Sequence, residues 1–314
     1  MEKYVCPHCI DDYAIQNFIS AEAVSTECDY CDNGSQRESI AAALTDVANF
    51  VLDGLYKEWS NPDDEGVLWD SEDGRYMVPT WDTHDLIERE LDTEEELRWD
   101  LVHKLPDHEW CQANPLRLSK DEELDLGWEG FSEQLKHETR YVFFRVEPEE
   151  SGYDYAGTPH EILDTIGDFV REYDLILDLP QNTEIIRARP HDEDEKFSNV
   201  EELGPPPKEK ALYANRMSPA GIPMFYGCVR EATALAEIEQ KDFATVANFH
   251  TLKSFKILDL NRIPPIPSFF DQQKSHERPA VRFLNHFLSD FSKRVDNDGR
   301  EHRICSDSSG YGIF

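Results

Sequence analysis

The sequence predicts an α+β protein with a cysteine-rich N-terminus, and three observations indicate this class. Two Cys-x2-Cys pairs lie within the first 35 residues. Apolar residues then recur at helical spacing through an acidic middle region, and short apolar runs typical of strands follow after residue 179. We therefore expect three domains, at residues 1–35, 36–178 and 179–314, the last of them built on a mixed sheet.

The four N-terminal cysteines have the spacing of a metal site. Eighteen residues separate the two pairs, which is typical of a zinc ribbon or knuckle with four thiolate ligands, Cys6, Cys9, Cys28 and Cys31. Four thiolates leave no open coordination position, so the zinc would be structural. Two disulfides or free thiols remain alternatives, although nothing in the sequence indicates export. The other cysteines have no partner at such spacing.

Residues 36–178 predict an acidic helical bundle. Residues 37–59 carry apolar side chains at helical spacing, and loops rich in Asp, Pro and Gly separate this segment from later helical ones. The further predicted helices lie at about 82–104, 120–138 and 159–176.

The C-terminal region predicts strands and two helices. The strands are expected near 183–189, 223–227, 245–249 and 254–260. The helices are expected at about 230–240 and 279–294.

Charge is distributed unevenly along the chain. The formal net charge is −34, and residues 1–207 hold 16 Lys+Arg against 52 Asp+Glu, whereas residues 208–303 hold 15 against 12. The acidic part argues against general nucleic-acid binding and would suit either solubility or a basic partner. Because no run of 18 apolar residues and no signal peptide are present, we expect a cytoplasmic protein without membrane contact.

Residues 215–238 place a cation, an aromatic ring and a carboxylate within one short segment. Arg216 can hold the phosphates of NAD, Tyr226 can stack on its nicotinamide, and Glu237 can stabilise the ribosyl cation formed when the nicotinamide bond breaks. Three such residues also occur together by chance, so the spacing alone leaves an ordinary surface as the alternative.

This segment resembles the RES family, named for an Arg, a Glu and a Ser. The resemblance spans about residues 180–303, and it is carried by the following motifs: Arg216, Gly221-Ile222-Pro223, Phe225-Tyr226, Ala234-Leu235-Ala236-Glu237, Arg187 with Arg189, and GPPP at 204–207. It implies an ADP-ribosyltransferase-like fold and NAD cleavage by hydrolysis, phosphorolysis or ADP-ribosyl transfer. It also makes Arg187 a weaker candidate for a phosphate contact, with a structural ion pair as the alternative, and it implies a toxin whose partner is an antitoxin protein.

The N-terminal half resembles the HEPN-related module that accompanies RES domains. VCPHCIDD at 5–12, CDYC at 28–31 and FSEQLKHETRYVFF at 131–144 carry this resemblance. Arg98 and His103 fit the Arg-x4-His pattern of HEPN ribonucleases, so ribonuclease activity is one alternative function. A non-catalytic, zinc-dependent interaction module is another.

The last residues depart from the RES pattern, because neither the family's Tyr-x-Pro-Thr-Gln motif nor its later Ser segment is present. Codons allowed for residues 304–314, read one base later, encode that missing motif. We therefore expect that a frameshift near residue 304 truncated the chain, leaving the predicted sheet incomplete and NAD binding weakened.

Overall fold

The computed structural model describes residues 2–137, 159–207, 209, 221–238, 242–292, 294–295 and 304–305. These residues combine helices with two-stranded antiparallel sheets, which confirms the predicted α+β class. Among them, no helix has the length and apolar character needed to cross a membrane. The chain forms two compact units, residues 1–126 with 265–282 and residues 127–264 with 283–314. The three predicted domains stay a prediction.

The N-terminal unit begins with a short strand and a capped helix. Strand β1 (Tyr4–Val5) pairs with β2 (Ala42–Ala43), and helix α1 (Tyr13–Ala21) begins after Asp12. The Asp12 carboxylate accepts hydrogen bonds from the first free N–H groups of α1, as an N-cap residue should. Sequence periodicity alone did not predict α1, because this helix lies between the two cysteine pairs.

Helix α2 (Leu44–Glu58) contributes more buried residues to the core of this unit than any other described helix. Its Phe50 ring stacks on Phe18 of α1, with 4.3 Å between the ring centroids. Phe269 and Phe270, from the second stretch of the unit, are buried in the same core. The predicted helix at 37–59 begins only at Leu44, since the backbone just before it pairs with β1 and with Ser25.

The predicted helix at 82–104 is two helices in the structure. Helix α3 (Thr83–Glu90) and helix α4 (Glu95–Val102) are separated by extended residues. Thr93 forms an antiparallel bridge with Ile10, and this pairing requires an extended backbone where periodicity predicted a continuous helix. The remaining strands of the unit are short: β3 (Trp59–Ser60) pairs with β6 (Cys111–Gln112), and β4 (Trp69–Asp70) pairs with β5 (Arg75–Tyr76).

The second unit contains two longer antiparallel pairs. Strand β8 (Glu184–His191) pairs along its whole length with β9 (Phe243–His250), and β7 (Ile176–Leu179) pairs with β10 (Phe255–Leu258). Short helices α7 (Val200–Leu203) and α8 (Glu231–Ala236) follow β8 in the chain. The strands predicted near 183–189, 245–249 and 254–260 are confirmed, whereas β7 was not predicted.

Three amphipathic helices complete the described elements. They are α5 (Lys120–His137), α6 (Pro159–Glu172) and α9 (Arg278–Ser292). Aromatic rings pack between them in the second unit, where Trp128 contacts Phe287 and Phe169 contacts Phe283. The last described strand pairing joins two strands of two residues each, β11 (Arg294–Val295) and β12 (Ile304–Cys305).

Candidate functional sites

The four N-terminal cysteine sulfurs meet in one cluster. The Sγ atom of Cys6 lies 3.8 Å from that of Cys9 and 3.5 Å from that of Cys31, and the Cys9 and Cys28 sulfurs are 3.7 Å apart. Thiolates that bind one zinc ion at about 2.3 Å stand about 3.8 Å apart at the corners of a tetrahedron. The predicted ligands therefore have the spacing of a single tetrahedral ion, and the identity of the metal stays a prediction.

Local backbone structure produces this spacing. Residues Pro7–Cys9 form one turn of 3₁₀ helix, in which the fixed φ of Pro7 suits the first position. The N–H of Cys9 donates to the carbonyl of Cys6 at 3.2 Å, which brings the first two sulfurs to one side of the turn. The N–H groups of Cys6 and Tyr30 point at the sulfur of Cys28, at 3.4 and 3.5 Å.

The same surroundings decide the ionisation of the thiols. Burial tends to raise the pKa of the Cys28 thiol, but the two N–H donors lower it and the net shift is downward. Burial raises the pKa of the Cys6 and Cys9 thiols, and neighbouring sulfurs raise it further. A central cation would reverse these upward shifts, because it favours thiolates. The donor set thus fits a closed structural metal site.

A second site candidate is centred on Arg187 in the middle of β8. Its guanidinium is half-buried and lies over the ring of Phe225, 5.1 Å from the centroid. Phe225 itself packs edge-on against Phe249 of β9, with 5.0 Å between centroids. Burial lowers the pKa of the Arg187 guanidinium, and the charge of Arg189 lowers it further.

The Nη1 atom of Arg187 is buried and, among the described residues, has no hydrogen-bond partner. Arg189, two residues along the same strand, differs because its guanidinium donates to the carbonyl of Glu202 and lies over the ring of Phe197. A buried guanidinium nitrogen without a hydrogen-bond partner is costly, and an anion held at that position would remove the cost. Arg187 is therefore the better candidate of the two for a phosphate contact.

The segment that carries Tyr226 crosses directly beside β8. Cys228 and Ile186 exchange two backbone hydrogen bonds, at 2.6 and 2.7 Å. A Cβ atom on Gly227 would lie 2.4 Å from the side chain of Ile185, so only glycine allows this approach. The strand predicted at 223–227 is wrong, since the pairing of this segment among the described residues is one bridge at Cys228.

Glu237 comes immediately after α8, which packs against β8. Its side chain is exposed. Burial raises the pKa of the Cys228 thiol, and the carboxylate of Glu237 raises it further. Tyr226 likewise acts on the Arg187 guanidinium, by opposing the fall in its pKa. Arg187, Tyr226 and Glu237 therefore belong to elements that meet around one part of β8.

Arg216 lies outside the described residues. The joint binding role that the sequence predicts for Arg216, Tyr226 and Glu237 stays a prediction.

The Arg-x4-His pair of the N-terminal unit is engaged in structural contacts. Arg98 donates to Glu88 at 2.8 Å and to the carbonyl of Thr93 at 3.1 Å. The Nδ1 atom of His103 lies 2.6 Å from the carbonyl oxygen of Trp99, one turn earlier in the same chain. Arg98 thereby links α3 to the start of α4 through two of its guanidinium nitrogens.

Comparison with known families assigns the region that contains Arg187, Tyr226 and Glu237. A family model described as RES domain matches residues 185–297, and one described as HEPN/RES N-terminal domain 1 matches residues 21–149. The chain carries a RES domain. RES domains act on NAD, so the match supports a NAD-related, toxin-like function at the level of the family. No curated protein and no solved structure showed significant similarity to the chain.

The RES match contains all of the candidate residues on β8 and around α8. The match to the N-terminal domain includes Cys28 and Cys31 but begins after Cys6 and Cys9. Sequence analysis missed the role of Gly227, because a tight approach to β8 depends on which residues pair. It also missed the contact of Phe225 with Arg187. The adjacent aromatic residues Phe225 and Tyr226 were the available signal for that contact.

Proposed function

We propose that this protein consumes NAD by breaking the bond between nicotinamide and ribose. The observation that carries the proposal is the buried Nη1 atom of Arg187, which has no partner among the described residues and lies within the RES match. NAD supplies the anion that this position lacks, because its pyrophosphate can accept two hydrogen bonds from one guanidinium.

The remaining residues have roles that follow from the charge changes of the reaction. Departure of neutral nicotinamide leaves positive charge on the ribose, and Glu237 would stabilise that charge through the ribose hydroxyls. Tyr226 would stack on the nicotinamide ring, and Arg216 would hold the phosphates or ribose together with Arg187. Water, phosphate or an acceptor side chain would then attack the anomeric carbon. The four-cysteine site takes no part in these steps.

The test uses the purified full-length protein with NAD, and nicotinamide release is measured with and without phosphate. We expect Glu237→Gln to lower the rate by about 100- to 1,000-fold, as the loss of one electrostatic stabiliser does. Glu231→Gln is the matched control, because Glu231 is an exposed carboxylate at the start of the same helix. Equal loss in both variants, or no nicotinamide release by the wild-type protein, would contradict the proposal.

We further propose a toxin role in the cytoplasm, where the enzyme would deplete the cellular NAD pool until an antitoxin protein blocks it. Expression in a bacterial host should then lower NAD and arrest growth, and Glu237→Gln should relieve both effects. Growth arrest at unchanged NAD would instead favour a different toxic activity.

A further inference from the structure

Residues 265–282 belong to the RES match by sequence and to the N-terminal unit by packing. Phe269 and Phe270 are 5 % and 1 % exposed, in the same core as Ile15 and Leu55. The guanidinium of Arg278 donates to the carboxylate of Glu58 at the end of α2. Part of the RES sequence is therefore bound as an integral piece of the N-terminal unit.

Tyr13, the first residue of α1, contacts residues 265–282. Its hydroxyl donates to Oδ2 of Asp271 at 2.9 Å and accepts from the N–H of Ser268 at 3.3 Å. The other oxygen of Asp271 accepts from the N–H groups of Gln273 and Lys274, at 2.9 and 3.1 Å. Tyr13 and Asp271 thus organise the turn that follows the two buried phenylalanines.

The cysteine cluster positions Tyr13. Cys9 precedes Tyr13 by four residues, and the 3₁₀ turn that holds Cys9 packs against α1. With a metal bound, Cys9 is tied to residues 28 and 31, and the free energy of metal binding becomes folding free energy of this region. Without it, the four sulfurs keep only weak mutual contacts, and the 3₁₀ turn that packs against α1 loses this restraint.

We propose that the four-cysteine metal site holds the turn at residues 268–274 in the N-terminal unit through Tyr13 and Asp271, so that removal of the metal loosens this turn while Phe269 and Phe270 stay in the core. The N-terminal module thereby has the function of binding part of the RES domain. The proposal concerns binding within the chain and does not depend on NAD cleavage.

Hydrogen exchange on the full-length protein, loaded with Zn²⁺ or treated with a chelator, tests the proposal. We expect amides of residues 268–277 to exchange at least about tenfold faster after chelation, while those of α2 change little. Unchanged exchange at 268–277 would overturn the proposal. Equal acceleration throughout α2 would also overturn it, since the metal would then support the whole unit.

With the metal bound, Tyr13→Phe tests whether the connection runs through the Tyr13 hydroxyl. This variant keeps the ring and loses the hydroxyl, so faster exchange at 268–274 is expected with zinc content unchanged. Tyr56→Phe, an exposed tyrosine on α2, is the matched control and should leave that exchange as it is. Chelation and Tyr13→Phe break the same connection. Chelation should therefore add little to the exchange rates of the Tyr13→Phe variant. Full additivity of the two effects would overturn the route through Tyr13.

Discussion

The Cδ1 atom of Phe270 lies 2.2 Å from the position that a Cβ atom would occupy on Gly54. Gly54 is in the interior of α2, where glycine costs about 1 kcal/mol of helix stability relative to alanine. The buried ring of Phe270 explains why a glycine is there. It also shows that residues distant in sequence form one closely packed core.

Gly54→Ala should therefore destabilise the protein although it improves helix propensity. Overpacking of a filled core costs about 1–3 kcal/mol, which exceeds the gain in propensity. Urea denaturation measures the free energy of unfolding. The control is Gly130→Ala in α5, an exposed position with no neighbouring atom within 4 Å, where the same change should stabilise by about 0.5–1 kcal/mol. Equal stabilisation by both changes would show that Phe270 does not occupy this space.

Arg187→Met should weaken the binding of ADP-ribose without lowering the stability of the protein. The change removes a half-buried cation whose Nη1 has no described partner, and it keeps an unbranched apolar side chain beside Phe225. We expect an unchanged or higher midpoint of thermal unfolding, since an apolar side chain removes the desolvation cost of the half-buried charge. Binding of ADP-ribose, measured by calorimetry, should fall by about tenfold or more because a charged hydrogen bond is lost.

Arg189→Met is the matched control for this prediction. Its guanidinium donates to the carbonyl of Glu202 and lies over Phe197, so its loss should lower the unfolding midpoint. If Arg187→Met destabilised the protein as much as Arg189→Met while ADP-ribose binding stayed intact, Arg187 would be a structural residue.

Gly227→Ala should weaken binding at the candidate NAD site without affecting the four-cysteine site. The added methyl group would meet the side chain of Ile185 at 2.4 Å and the ring of Phe225 at 2.9 Å. Because β8 is paired along its length with β9, we expect the 225–228 segment to move and to displace Tyr226. ADP-ribose binding should weaken while zinc content stays constant. Retention of normal binding would show that the close approach is not needed for the site.

Zinc content should depend on the four clustered cysteines alone. We expect one zinc per chain, and loss of that zinc in Cys28→Ser, because a tetrahedral site needs all of its thiolates. Cys111→Ser is the control, as Cys111 is buried in β6 away from the cluster. Elemental analysis of the purified proteins gives the ratio directly. Zinc retained in Cys28→Ser but lost in Cys111→Ser would refute the ligand assignment.

Local sequence patterns predicted some of these elements well. The cysteine spacing predicted the cluster because ligand geometry depends on short turns, and strands β8, β9 and β10 followed from runs of apolar residues. Helix α5 was predicted nearly to its ends.

Other features depend on contacts that no local pattern contains. The break between α3 and α4 follows from pairing of Thr93 with Ile10, and the position of residues 265–282 follows from burial of Phe269 and Phe270 against α2. The orphaned atom of Arg187 appears only when its surroundings are known, since Arg189 carries the same side chain with its donors engaged.

Glu90, at the end of α3, gives a prediction about pH. Burial raises the pKa of its carboxyl group, and the charge of Glu58 adds to the shift, whereas Arg89 and Arg278 oppose it. A carboxyl whose pKa is higher in the folded state binds protons more tightly there than in the unfolded chain. The contribution of this carboxyl to stability is therefore fully present below its pKa in the unfolded chain. It is lost as the pH rises through its pKa in the folded protein.

Glu90→Gln should accordingly stabilise the protein at neutral pH, with an advantage that disappears as the pH falls below the pKa of the unfolded carboxyl. The amide removes the buried charge, and Arg89 keeps its contacts with the rings of Trp81 and Trp59, at 4.9 and 5.6 Å. The free energy of unfolding would be measured from pH 4 to pH 8. Glu72→Gln changes the net charge equally at an exposed position, so it corrects for general repulsion in this acidic chain. A stability difference that stayed constant over this range, after that correction, would show that ionisation of Glu90 is not its cause.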